Sequence, residues 1–167
     1  MGDKTYIGID NGVSGAVAIL ESDGSVKLSK TPTIEFGGKG TFIDDIKLRS
    51  LVMNGRAVED LRVVYEWGNK NPQWGTKGNW ATGNHNGTLT TFVRQNGIRA
   101  AAITAKEWQR ELLAGFRPNG CDTKTAAKAA AKHYFPGVSL IAPGCRTEFD
   151  GFADALLMAL WGKRRNL

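Results

Sequence analysis

Apolar residues open the chain in three short blocks separated by turn signals. Tyr6-Ile7-Gly8-Ile9 ends at Asp10 and is followed by Asn11-Gly12, a favoured tight-turn pair. Gly15–Leu20 forms a second apolar block, and Ser22-Asp23-Gly24 a second turn. Val26-Lys27-Leu28-Ser29-Lys30 then alternates apolar and polar positions, the two-residue period of a half-exposed strand. The pattern predicts an antiparallel three-stranded meander.

The rest of the chain alternates helical and extended signals. Thr31 to Gly40, with Pro32 and three glycines, reads as loop. Thr41 is placed to cap a helix whose stripe is Phe42, Ile43, Ile46 and Leu51, stopped by Asn54-Gly55. Leu61–Glu66 reads as a fourth strand, and Gly68–Gly78 as a polar, Gly-rich loop holding Trp74. A helix with Leu89, Phe92 and Val93 inward stops at Asn96-Gly97, and Ile98–Ile103 is a fifth strand. Thr104-Ala105-Lys106-Glu107 is a capping box for a short helix carrying Trp108, Leu112 and Leu113. An Ala-rich helix runs from Asp122 or Thr123 to about Tyr134-Phe135-Pro136, and a last one opens at Thr147–Asp150 and reaches about Gly162. A meander followed by strand–helix alternation predicts an α/β fold, a mixed sheet flanked by helices.

At 167 residues the chain has the length of one domain, expected to span 1–167. The 41% hydrophobic share supports a core. Lys plus Arg number 22 against 16 Asp plus Glu, a net charge of +6 that suits a polyanionic partner without requiring one. Cys121 and Cys145 form no disulfide framework and point to a reducing compartment. Met1 to Lys4 carries no secretory pattern, and the run Ala155–Trp161 is too short to span a bilayer. The expected setting is therefore the inside of a cell, with no membrane partner.

Four acids stand where acids are unusual: Asp10 and Glu66 at the ends of apolar strands, and Asp150 and Asp154 on a mostly apolar helix. At about 100° per residue, four steps leave the last two ~40° apart, one turn above the other on one face. Clustered, partly buried carboxylates repel, and a hard divalent cation removes that conflict. Each acid also has a plainer reading. Asp10 before Asn11-Gly12 can be a turn former, Asp150 a capping acid for Thr147, and Glu148 a complement to the helix dipole. Asp154 has no basic residue within four positions and resists such a reading. His85 and His133 show no metal spacing, Ser14 has no triad partners, and Gly37-Gly38-Lys39-Gly40-Thr41 fails the spacing of a phosphate loop.

Tyr6-Ile7-Gly8-Ile9-Asp10, Val64-Tyr65-Glu66 and Asp150-Gly151-Phe152-Ala153-Asp154-Ala155-Leu156-Leu157, in this order and spacing, resemble the RuvC-like Holliday-junction resolvases of the RNase H-like superfamily. The phage-type members are most similar, through Pro72-Gln73-Trp74-Gly75, Ala81–Phe92, Thr104–Leu112 and Lys124–Pro136. The resemblance implies an RNase H-like five-stranded mixed sheet with its first three strands antiparallel. It implies that Asp10, Glu66, Asp150 and Asp154 are catalytic and hold two Mg²⁺ or Mn²⁺ ions. It further implies a homodimer acting on four-way junctions or other branched DNA, in the cytoplasm of a bacterial or phage-infected cell. There are departures: many bacterial members space the last two acids three apart rather than four, phage-type relatives often carry His where Phe149 stands, and the junction-opening aromatic has only Trp67 and Trp74 as candidates.

Candidate DNA contacts are the Lys124, Lys128 and Lys132 stripe, the loop residues Lys70, Trp74 and Lys77, and Arg146. The stripe reads equally as a solvated helix face, and Trp74 as a pin for its own loop or a dimer contact. Three functions remain open: a two-metal endonuclease for branched DNA, the same fold acting on RNA–DNA hybrids or flaps, and a non-catalytic branched-DNA-binding module. Ile7–Gly12 also resembles the first phosphate loop of actin-like ATPases, but that fold needs two lobes of this size.

Overall fold

A computed structural model describes residues 4–117 and 121–167. Met1–Asp3, part of the stretch read above for a secretory pattern, lie outside the described residues. Strands β1 (Thr5–Ile9), β2 (Ala16–Leu20) and β3 (Val26–Lys30) form the expected antiparallel meander. β4 (Thr33–Glu35) and β5 (Thr41–Ile43) form a separate hairpin, followed by α1 (Asp45–Met53). β6 (Leu61–Glu66) and β7 (Arg99–Ile103) bracket α2 (Gly75–Gln95), and α3 (Ala105–Leu112), α4 (Thr123–Tyr134) and α5 (Asp150–Arg164) complete the chain. The main sheet has the order β3-β2-β1-β6-β7, with β6 parallel to both β1 and β7. The fold is α/β with a mixed five-stranded sheet.

The two-residue period of the strands divides the core. Ile7, Ile9, Val17, Ile19, Val63 and Tyr65 point to one face, where α1 and α2 supply Leu48, Val52, Leu89 and Phe92. Ala16, Ala18 and Val64 point to the other, against α3, α4 and α5. That second face is lined by small residues, so α5 lies unusually close to β1. A side chain at Gly8 would overlap the Ala155 carbonyl oxygen and come within 2.7 Å of the Ala159 nitrogen. Ten of the fifteen residues of α5 are buried.

Three expectations need correcting. The stretch 31–40 is not all loop, because Thr33–Glu35 pairs with Thr41–Ile43 around a Gly-rich turn. Thr41 therefore begins a strand rather than capping a helix. Asp44 caps α1 instead, accepting from the Lys47 backbone N–H at 2.9 Å, and Ile46 faces solvent at 75% exposure. The Gly-rich segment after β6 becomes helix from Gly75 onward. Its low propensity is overcome by packing of Leu89, Phe92 and Val93, and by the Asn79 side chain, which bonds the Asn71 backbone N–H at 2.8 Å and carbonyl at 2.9 Å. The predicted capping box at Thr104–Glu107 is present, while α5 begins only at Asp150 and takes no side-chain cap from Thr147.

Candidate active site

β1 and β6 run parallel and end side by side, at the Ile9–Tyr65 rung. Asp10 and Glu66 are the next residues of each, at the same edge of the sheet. α5 crosses this edge with its first turns. A Cβ at Gly151 would sit 3.0 Å from Asp10 Oδ2, so the first turn of α5 packs closely on the carboxylate. Asp10, Ser14, Lys124, Phe149, Asp150 and Asp154 line an open cleft of about 380 Å³. A larger cavity of about 660 Å³ beside α3 is lined by Lys106, Glu107, Arg110 and Arg117, far from this edge in chemistry. Asp10, Asp150 and Asp154 gather at the smaller cleft and not at the larger one.

Electrostatics divide the four acids into a trio and a single. Burial, then the negative charges of Asp154 and Glu66, push Asp10 up to about 8. Burial, then Glu66 and Asp150, push Asp154 up to about 7. Burial also raises Glu66. The Trp108 indole N–H approaches Glu66 closely enough to favour its charged form, yet stays outside hydrogen-bonding geometry and has no other partner. Asp150 behaves oppositely. Lys128 donates to Oδ1 at 2.6 Å and Lys124 to Oδ2 at 3.0 Å, holding its carboxyl below the usual range, Lys128 contributing most. Lys132 pairs with Glu148 at 2.6 Å.

The stripe of α4 lysines thus exists, but its cations are turned onto Asp150 of α5 and Glu148 just before it rather than standing as a free row. Asp150 is in an ion pair and not a capping acid. Half-buried, mutually repelling oxygen donors suit a hard divalent ion, and Asp10, Glu66 and Asp154 meet that description, with Lys124 and Lys128 offsetting only part of the repulsion at Asp154. The side chains as they stand are not closed around one: among the described residues no three His, Cys, Asp or Glu side chains form a group able to hold a metal ion.

Two solved structures share this architecture. Thermus thermophilus RuvC in complex with a Holliday junction substrate superposes with a TM-score of 0.60 at 15% identity, covering 97% of this chain and 96% of that one. A second T. thermophilus RuvC structure gives 0.57 with the same identity and coverage. The fold is that of RuvC. No family model matches the chain, and no curated protein does.

On this RuvC fold the remaining predicted contacts are exposed on loops and helix ends. Lys70 and Lys77 are exposed, and Trp74 closes a 3₁₀ turn (Pro72–Trp74) with 54% of its surface in solvent. Trp67, directly after Glu66, is half-exposed, and its backbone N–H is fixed to the Ile103 carbonyl at 2.7 Å. Arg146 is exposed on the segment leading into α5. Sequence reasoning missed Trp80, exposed and edge-on to Phe42 of the hairpin, which anchors β4–β5 to α2. It also missed Asn86, a buried polar residue inside an apolar helix face, which the burial of its neighbours Leu89 and Phe92 would have flagged. Among the described residues no helix is long and apolar enough to cross a membrane.

Proposed function

We propose that the chain, as one nuclease domain over 1–167, is a metal-dependent endodeoxyribonuclease that cuts four-way junctions and other branched DNA by phosphodiester hydrolysis. The observation that carries this reading is the trio of half-buried, mutually repelling carboxylates, from the end of β1, β6 and α5, at one edge of a RuvC fold. Asp10, Glu66 and Asp154 would be the shared ligands of two Mg²⁺ or Mn²⁺ ions, and Asp150 would complete the second site once freed from Lys124 and Lys128. Held there, the ions would supply an activated water and charge stabilisation for the leaving oxygen.

The protein's own groups do the rest. The raised carboxyls release their protons as a cation arrives, so ion affinity increases with pH up to about 8. Lys124, Lys128 and Lys132 sit beside the acids, where a DNA phosphate competes for them. Trp74 and Trp67 offer exposed rings for unpaired bases, and Lys70, Lys77 and Arg146 extend the positive surface for the arms. Two such subunits in a homodimer would nick paired strands of one junction. The setting is the cytoplasm of a bacterial or phage-infected cell, in keeping with two free cysteines.

The test is cleavage of a labelled synthetic four-way junction beside linear duplex, flap and RNA–DNA hybrid, each with Mg²⁺, Mn²⁺ or EDTA. Paired, metal-dependent nicks in the junction, absent in Asp10→Asn, are expected. Cutting of the hybrid alone would keep the metal site and overturn the substrate. Junction binding without any cutting would favour a non-catalytic binder, the reading that the Lys124 and Lys128 pairs with Asp150 would then explain.

A further inference from the structure

Beyond the last rung between β1 and β6, the backbone ladder no longer ties the two strands together. Both ligand-bearing ends lie just past that point, and a single side chain from a different element bridges them. Asn86, on α2 and 6% exposed, accepts from Asn11 Nδ2 at 2.6 Å and from the Gly68 backbone N–H at 3.0 Å through the same Oδ1. Its Nδ2 donates back to the Gly68 carbonyl at 2.8 Å. Asn11 adjoins Asp10, and Gly68 lies two residues after Glu66.

We infer that Asn86 is a positioning residue that sets the separation of Asp10 and Glu66, and so prepares the metal site before any ion or DNA binds. The inference rests on the nuclease reading above for its functional meaning. Two further features point the same way. A Cβ at Gly68 would lie 2.5 Å from Thr82 Cγ2, so the segment after β6 is packed closely against α2 at the position Asn86 grips. Asn11 Oδ1 is buried with no partner, an arrangement that stability alone does not favour. An amide is suited to the task because it supplies an acceptor and a donor on one rigid plane, and neither a carboxylate nor a hydroxyl reproduces both toward Gly68.

The experiment compares wild type with Asn86→Ala and with the near-isosteric Asn86→Asp, which keeps the acceptor and loses the donor. Mn²⁺ binding to the protein alone, followed by calorimetry or by the EPR signal of free Mn²⁺, should weaken about 10–100-fold in Asn86→Ala, the range found when a support of a metal ligand is removed. Asn86→Asp should fall between the two. Junction affinity in EDTA should stay within about twofold of wild type, a split that general unfolding does not produce. Exchange of the Gly68 amide hydrogen should speed up in Asn86→Ala, which loses its acceptor, while the interior of β1 stays protected. Unchanged Mn²⁺ affinity and Gly68 protection in both variants would overturn the clamp. So would a uniform loss of Mn²⁺ binding, junction binding and β1 protection in both, which would reduce Asn86 to a general structural residue. If wild type itself neither binds Mn²⁺ nor nicks junctions, the nuclease reading fails. Gly68 exchange then decides the clamp separately: faster exchange confined to the strand ends sustains it, and unaltered exchange ends it.

Discussion

Replacing Asp10 with asparagine should stabilise the metal-free protein, and increasingly so as pH rises. In the wild type burial and two neighbouring carboxylates push Asp10 from 3.8 up to about 8. Between those values the folded chain retains a proton that the unfolded chain releases. The folded state therefore binds more protons, and stability falls as pH increases through the window. The penalty is absent below about pH 4 and complete above about pH 8. The gap corresponds to an upper bound of about 6 kcal/mol. Asp154 and Glu66 share the repulsion, and water entering the cleft screens it, so the realised gain at high pH is about 2 kcal/mol, or roughly 4–8 °C in Tm for a chain of this size. Asparagine brings its own cost, because a buried amide also needs partners, but that cost does not change with pH. Glu21 and Asp150, lowered chiefly by Arg56 and Lys128, lose stability as pH falls, equally in both proteins. The assay is calorimetric melting of both in EDTA from about pH 5 to about pH 9. The difference in Tm should widen steadily with pH, and Mg²⁺ should raise the melting temperature of the wild type alone. A difference that is flat across the range would refute the premise that Asp10 carries a suppressed charge.

Lys128→Met should tighten Mn²⁺ binding about 1.4–5-fold by removing a cation that competes for Asp150, since such exposed pairs are worth about 0.2–1 kcal/mol; equal or weaker binding in titration calorimetry would count against that competition. Gly8→Ala should cost more than about 3 kcal/mol in denaturant unfolding, or abolish soluble expression, because its methyl meets the Ala155 carbonyl and cannot be absorbed by rotating a side chain. Gly151→Ala should be milder for the fold and harsher for the site: its Cβ lies 3.0 Å from Asp10 Oδ2, so Mn²⁺ affinity should fall at least about tenfold while melting changes by only a few degrees.

The five strands of the main sheet could be read from the chain because each is an apolar or alternating block with its own turn signals, and β1, β2 and β6 are buried nearly throughout. The β4–β5 hairpin could not: its strands have three residues each, Ile34 is exposed, and its turn residues Gly37, Gly38 and Gly40 dominate the local signal. Phe42 and Ile43 suggested a helix only because Ile46 and Leu51 fell at compatible spacing, and Ile46 proves to face water. The start of α2 was hidden by glycine, since propensity weighs against a helix that tertiary contacts nevertheless hold. At the site, acids at element ends were visible because a charge interrupting an apolar run is a strong local signal. What the α4 lysines face, and that Asn86 links two strand ends, depends on the packing of elements distant in sequence, which no local pattern encodes.

The contact of Gly8 with α5 places an unusual burden on heredity. Asp154 and Asp150 ride on a helix whose position is set by the missing side chain of a residue on the strand that ends at Asp10. The chain shares its fold with a protein of only 15% identity. A single methyl group at that contact, however, shifts two of the four acids together as a rigid unit. The spacing between strand and helix, and with it the reach of Asp150 and Asp154 toward Asp10, is therefore fixed by backbone contact and not by any side chain that could adjust.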